Sequence, residues 1–122
     1  MSSTLRYILY VRKSTDREDH QVKSLADQTS VMKAIALRDG LRLVKILDEA
    51  RSAKQPGNRP VFAELLSLIE RGEADAILCW HINRLSRNPV DSGQLQWLLQ
   101  QGTIQEIRTQ ERTYRPEDNA LL

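Results

Sequence analysis

One cysteine, Cys79, in a chain of 122 residues excludes an internal disulfide and fits a reducing cytoplasm. That cysteine and two isolated histidines, His20 and His81, offer no metal-site spacing, and no cofactor is expected. No apolar run is long enough to cross a bilayer, and the N-terminus lacks the pattern of a secretory signal. Internal repeats and low-complexity segments are missing as well. A net charge of +2 does not by itself announce nucleic acid, so what matters is where the arginines fall. What remains is the ordinary composition of one soluble globular domain, 40% hydrophobic and 28% charged.

The strongest signal is Tyr7-Ile8-Leu9-Tyr10-Val11, an apolar run rich in β-branched and aromatic residues that reads as a buried strand. It turns polar at once into Arg12-Lys13-Ser14-Thr15-Asp16-Arg17. Side chains alternate along a strand, so Tyr10, Arg12 and Ser14 are expected on one side, with Leu9 and Val11 on the other. A hydroxyl two positions from a guanidinium, where a first strand runs out, suits chemistry on an anion, because ligands of open α/β sheets collect beyond the strands' carboxyl ends. A strand followed by a hydrophilic loop would show the same local pattern.

Downstream, Ser24 with Asp27 marks a helix start, and Leu25, Val31, Met32, Ile35, Ala36 and Leu37 supply its apolar face before Gly40. Leu41 to Leu47 reads as a second strand ending at Asp48-Glu49, and Ala50 to Asn58 as a loop. Pro60 opens a helix carrying Phe62, Leu65, Leu66, Leu68 and Ile69, closed by Gly72. Ala74 to Trp80 reads as a central strand, about Val90 to Gln101 as a helix with Leu95, Trp97, Leu98 and Leu99 packed, and Thr103 to Arg108 as a fourth strand. The polar end stops at Leu121-Leu122, which points to a boundary rather than a natural terminus. This alternation predicts an α/β fold with a mostly parallel sheet covered on both faces.

Polar clusters follow the first three strands: Arg12 with Ser14, Ser52 to Arg59, and Asn83 with Arg84 and Arg87. They should converge on one rim of the sheet. Guanidinium groups crowded around one hydroxyl repel each other unless an anion lies between them, and a phosphodiester matches their forked donors. Arg84 and Arg87 would face the same way on a helical turn. Taken singly, each arginine also fits a surface residue that caps or pairs locally.

Tyr10-x-Arg12-x-Ser14, Ser24-Leu25-x-x-Gln28, Ser52 with Arg59-Pro60, and Asn83-Arg84-Leu85-Ser86-Arg87 together closely resemble the catalytic domain of serine site-specific recombinases, the resolvase/invertase family. The resemblance runs from Tyr7 to about Asn119, and Trp80-x-x-Asn83-Arg84-Leu85-Ser86-Arg87-Asn88 looks most like the large serine recombinases of mobile elements. It implies a three-layer α/β/α fold with a mostly parallel sheet of four to five strands. It further implies that residues 1–122 are an N-terminal catalytic domain whose DNA-binding region lies beyond this chain. Ser14 would be the nucleophile that cleaves and rejoins DNA through a 5′-phosphoserine intermediate, without metal or ATP. Arg12, Arg59, Arg84 and Arg87 would contact the phosphate, with Tyr10, Gln28, Ser52 and Asn83 around the same substrate-binding site. The implied partners are double-stranded DNA and further copies of the protein, a homodimer becoming a tetramer on DNA. The implied setting is the cytoplasm, with a bacterial or phage/mobile-element origin and no membrane.

Elementary chemistry agrees with that assignment. No histidine is placed to act as base for Ser14, whereas nearby positive charge favours an alkoxide and stabilises a transferring phosphoryl group. One preorganised donor of this kind contributes about 3–4 kcal/mol to a transition state. The family usually has Asp where this chain has Asn83, and an amide can orient Arg84 but cannot carry a proton. Cys79, Trp80 and Trp97 are expected to be packing residues, and Asp48-Glu49 a charged strand end. Two rival functions share many of these features: an impaired recombinase-like assembly module, and a flavodoxin-like domain that binds a phosphate ligand. The second is disfavoured because no Gly-rich phosphate loop follows the first strand.

Overall fold

The computed structural model describes residues 5–13, 24–50, 57 and 59–117. The strands are β1 (Arg6–Arg12), β2 (Arg42–Glu49), β3 (Ala76–Cys79), β4 (Glu106–Arg108) and β5 (Thr113–Tyr114). The helices are α1 (Leu25–Asp39), α2 (Pro60–Glu70), α3 (Ile82–Leu85) and α4 (Pro89–Gln100). One sheet holds the strands in the order β2-β1-β3-β4-β5, with β1 central between β2 and β3. The first four are parallel, and β5 closes the far edge antiparallel to β4.

The alternation expected along β1 sorts its side chains into two cores. Tyr7, Leu9 and Val11 pack with Ala76, Leu78 and, from α1, Met32 and Ala36. Ile8 and Tyr10 pack on the opposite face with Leu47, Ile77, Cys79 and the apolar stripes of α2 and α4. The result is three layers, helix on sheet on helix, as the alternating elements predict. Each fully buried Leu or Ile contributes roughly 1.5–3 kcal/mol, so the central strand is the best-anchored part of the chain.

Some boundaries fall where the sequence reading put them and others differ, each for a local reason. Ser24 caps α1 through its hydroxyl, which accepts from the Asp27 N–H at 3.2 Å, and Gly40 ends it at φ 68°. The buried stripe of α1 is Gln28, Met32 and Ala36, so Leu37 is left 85% exposed rather than packed, and Val31 is also exposed. β2 runs on to Glu49, and its pairing with β1 slips between Tyr7 and Ile8, leaving Val44 without a register partner. Beyond that bulge Leu47 and Glu49 stand on the Tyr10 face.

β3 is shorter than expected at its start because Asp75 serves another purpose, its carboxylate accepting from the Arg6 backbone N–H at 2.9 Å and its side chain at 3.0 Å. β4 starts late because the N–H groups of Thr103 and Ile104 bond to the Leu98 carbonyl as α4 ends. β5 was not read from the polar C-terminal stretch. Trp97, expected to pack, is 59% exposed. Cys79 is buried as expected, which pushes its thiol up to about 12. Among the described residues no helix is long and apolar enough to cross a membrane.

Candidate active site

β1 ends at Arg12, whose side chain is completely buried. A charge there needs strong partners, and the one-turn helix α3 supplies them. So short a helix leaves its C-terminal carbonyls without intrahelical donors. Arg12 takes two of them: its Nε donates to the Arg84 carbonyl at 2.9 Å and its NH2 group to the Asn83 carbonyl at 2.9 Å. Arg84 answers in kind, its NH1 group donating to the Arg12 carbonyl at 3.2 Å. Gln28, buried on α1, donates its amide to that same carbonyl at 2.9 Å. Its side-chain oxygen accepts, at 3.4 Å, from the Arg12 N–H.

Arg59 enters from the other side. As the N-cap of α2 it makes no side-chain capping bond. Its guanidinium lies over the Phe62 ring, 3.9 Å from the centroid. Its NH1 group donates to the Tyr10 hydroxyl at 3.2 Å and more distantly to the Arg84 carbonyl at 3.5 Å. Its NH2 group pairs with the Asp91 carboxylate at 3.1 Å. Among the described residues the Arg59 Nε, also buried, has no hydrogen-bond partner. An unsatisfied buried donor costs about 1–3 kcal/mol.

Two carboxylates that the sequence reading passed over complete the arrangement. Glu49 is buried, and its Oε1 accepts from the Tyr10 hydroxyl at 2.6 Å and from the Phe62 N–H at 3.0 Å. Its Oε2 accepts from the Val61 N–H at 2.8 Å, so Glu49 caps α2 in place of the missing N-cap side chain. Burial, reinforced by the bond to Glu49 and opposed by the charge of Arg59, pushes the Tyr10 phenol far above its ordinary range. Tyr10 is therefore a fixed donor at neutral pH rather than a base. Asp91, in the first turn of α4, accepts from the Asn88 side-chain amide at 2.8 Å while its own N–H donates to the Asn88 Oδ1 at 2.8 Å.

Tyr10, Arg12, Gln28, Arg59, Asn83 and Arg84 thus meet at the carboxyl end of β1. Ser14 and Ser52 lie outside the described residues. The expected helical pairing of Arg84 with Arg87 does not occur. α3 stops at Leu85 and Ser86 is extended (φ −157°, ψ 144°), its hydroxyl engaged with Ser92 at 2.7 Å and the Asn88 carbonyl at 3.2 Å. Arg84 is buried while Arg87, beyond that break, is half-buried. Asn83 is exposed, and its Oδ1 lies 3.4 Å from the Arg84 Nε.

The guanidinium groups were expected to crowd an anion. Arg12, Arg59 and Arg84 bond among others to backbone carbonyl oxygens, the Tyr10 hydroxyl and the Asp91 carboxylate. A signal for Asp91 was present in Asn88-x-x-Asp91, the spacing of a capping box. Glu49 was hidden because the bulge in β2 decides which of Asp48 and Glu49 turns inward. Among the described residues no group of three or more His, Cys, Asp or Glu could hold a metal.

The family model for the resolvase N-terminal domain matches residues 7–122. The fold is similar to that of the N-terminal catalytic domain of TP901-1 integrase, with a TM-score of 0.70 and 21% identity over 87% of this chain and 77% of that one. It is equally similar to a resolvase family site-specific recombinase from Streptococcus pneumoniae, with a TM-score of 0.70 and 21% identity over 95% of this chain and 78% of that one. The C-terminal catalytic domain of ISC1926 TnpA, an IS607-like serine recombinase, matches with a TM-score of 0.69 and 21% identity over 86% of this chain and 69% of that one.

Proposed function

Since the chain belongs to the resolvase family of site-specific recombinases, we propose that it is the catalytic domain of such an enzyme and that Ser14 is its nucleophile. The Ser14 oxygen attacks the phosphorus of a DNA phosphodiester. A 5′-phosphoserine bond forms, the bond to the 3′ oxygen breaks, and the 3′ end leaves as a hydroxyl once protonated. Attack by the 3′-hydroxyl of another strand reverses the step and releases the serine, so the ester's energy is kept and neither ATP nor metal is needed.

The observation that carries this reading is the meeting of Arg12, Arg59 and Arg84, from three distant segments, at the end of the strand that leads into Ser14. Guanidinium groups suit a phosphodiester because their donors match its oxygens in pairs. Positive charge held in a water-poor site stabilises the charge developing on a transferring phosphoryl group. Arg12 and Arg84 hold each other through their backbones, while Arg59 contributes from α2 and Gln28 fixes the strand end. Arg87, Ser52 and Asn83 belong to the same proposed site, with Asn83 orienting Arg84.

Double-stranded DNA is the substrate, and the active form is a tetramer assembled from dimers of the full-length protein. Residues 1–122 alone should bind DNA weakly and recombine nothing, as a gel-shift and a recombination assay would show. Membership of the family speaks against the flavodoxin-like reading. The impaired-module reading is separated by Ser14→Ala in the full-length protein. That change should abolish recombination, and unchanged recombination would remove the catalytic assignment.

A further inference from the structure

We propose that Asp91 is a positioning residue for Arg59, holding its guanidinium charge-neutralised beside the end of β1 until a DNA phosphate takes it over. The inference rests on the reading of Arg59 as a phosphate-contacting residue and adds what governs its placement.

The two members of this buried pair are held very differently. Asp91 is fixed without help from Arg59: the Asn88 side-chain amide donates to its Oδ2 at 2.8 Å, and its own N–H is tied to the Asn88 Oδ1 at 2.8 Å. α4 is capped by that same Asn88, so the carboxylate belongs to a rigid helix start. Arg59 is stacked on the Phe62 ring at 3.9 Å, but its polar contacts are longer. Its contacts with Tyr10, the Arg84 carbonyl and Asp91 measure 3.2, 3.5 and 3.1 Å, and its buried Nε has no partner among the described residues. An arginine kept only for packing would gain from satisfying that donor. One awaiting a further acceptor would leave it open.

Helix capping alone does not account for the carboxylate. The capping bond at this helix start is made by the Asn88 side chain, while the buried Asp91 carboxylate is turned onto Arg59. The pair also lines a groove between α2 and α4, together with Pro60, Phe62 and Val90. A phosphate oxygen reaching Arg59 would meet the same guanidinium that Asp91 now neutralises. A fixed carboxylate therefore sets where Arg59 starts and prevents an unpaired buried charge before DNA arrives.

The test is DNA cleavage by the full-length recombinase on a nicked suicide substrate, with thermal unfolding followed in parallel. Asp91→Asn should cleave on the order of a hundredfold more slowly, the scale of a misplaced catalytic group. Combined with Arg59→Ala it should be no slower than Arg59→Ala alone. Full activity in Asp91→Asn, or a double variant at least tenfold slower than Arg59→Ala, overturns the proposal. Should Asp91→Asn not fold, Asp91→Glu replaces it. Moving the carboxylate by one methylene should slow cleavage at least tenfold when Arg59 is present and leave it unchanged in the Arg59→Ala background; undiminished cleavage with Arg59 present is the contrary result. Failure of the parent reading looks different, because Ser14→Ala would then still recombine.

Discussion

Arg12 and Arg84 each donate a side-chain hydrogen bond to the other's backbone carbonyl, Arg12 at 2.9 Å and Arg84 at 3.2 Å. This reciprocal clasp joins the end of the central strand to the one-turn helix after β3. It requires donors spread across a planar group, because Arg12 must also reach the Asn83 carbonyl at 2.9 Å. A lysine ammonium is a single point on a flexible stem and cannot reproduce that fork. Arg12→Lys should therefore lower the domain's stability by about 1–3 kcal/mol, measured by urea unfolding. Wild-type stability in that variant would show that the clasp contributes little.

Glu49 offers a second test. Its two oxygens together receive Tyr10, Val61 and Phe62. Glu49→Gln replaces one acceptor oxygen by an amide that opposes a backbone N–H at the start of α2. A loss of about 1–3 kcal/mol is expected, with fraying of α2 visible as faster amide exchange at Val61 and Phe62. Exchange unchanged at both positions would contradict the capping role.

The buried phenols give the domain an alkaline limit. Burial and the Glu106 carboxylate raise Tyr7 to about 12, and burial raises Tyr10 further. The unfolded chain releases these protons near pH 10 while the folded one keeps them, so the unfolded state binds fewer protons and stability falls as pH rises. The loss should begin near pH 10 and, for Tyr7, level off near pH 12. Tyr7→Phe should flatten the fall in that window. An equally steep fall in that variant would assign the effect to other groups.

Much of this was legible in the sequence because it depends on local rules. Alternation along β1 placed Tyr10 and Arg12 together, Ser24 and Gly40 bounded α1, and Pro60 opened α2. The rest depends on features that local patterns do not carry. A bulge in an edge strand chose Glu49 over Asp48 for burial. The extended Ser86 broke the turn that would have aligned Arg84 with Arg87. β5 is two residues long and exists because β4 offers it an edge. The arginines were readable as a group, but their partners, carbonyls released by a four-residue helix and a carboxylate at a helix start, emerge only in three dimensions.

Asn83 stands where the family usually has Asp. If the side chain only orients Arg84, Asn83→Asp in the full-length protein should change the cleavage rate by less than about tenfold, since general acid–base catalysis typically contributes 10²–10⁴-fold. Single-turnover cleavage measures this. A gain on the order of a hundredfold would show that a proton-carrying group is wanted there.

The proposed reaction joins DNA to the hydroxyl oxygen of Ser14, two residues beyond the buried Arg12. The most direct measurement is to trap full-length protein on a nicked suicide duplex, digest the covalent complex, and locate the attachment by mass spectrometry. A 5′-phosphate ester on Ser14 is expected, with no adduct in the Ser14→Ala protein. Attachment at any other residue, or an adduct that survives Ser14→Ala, would contradict it.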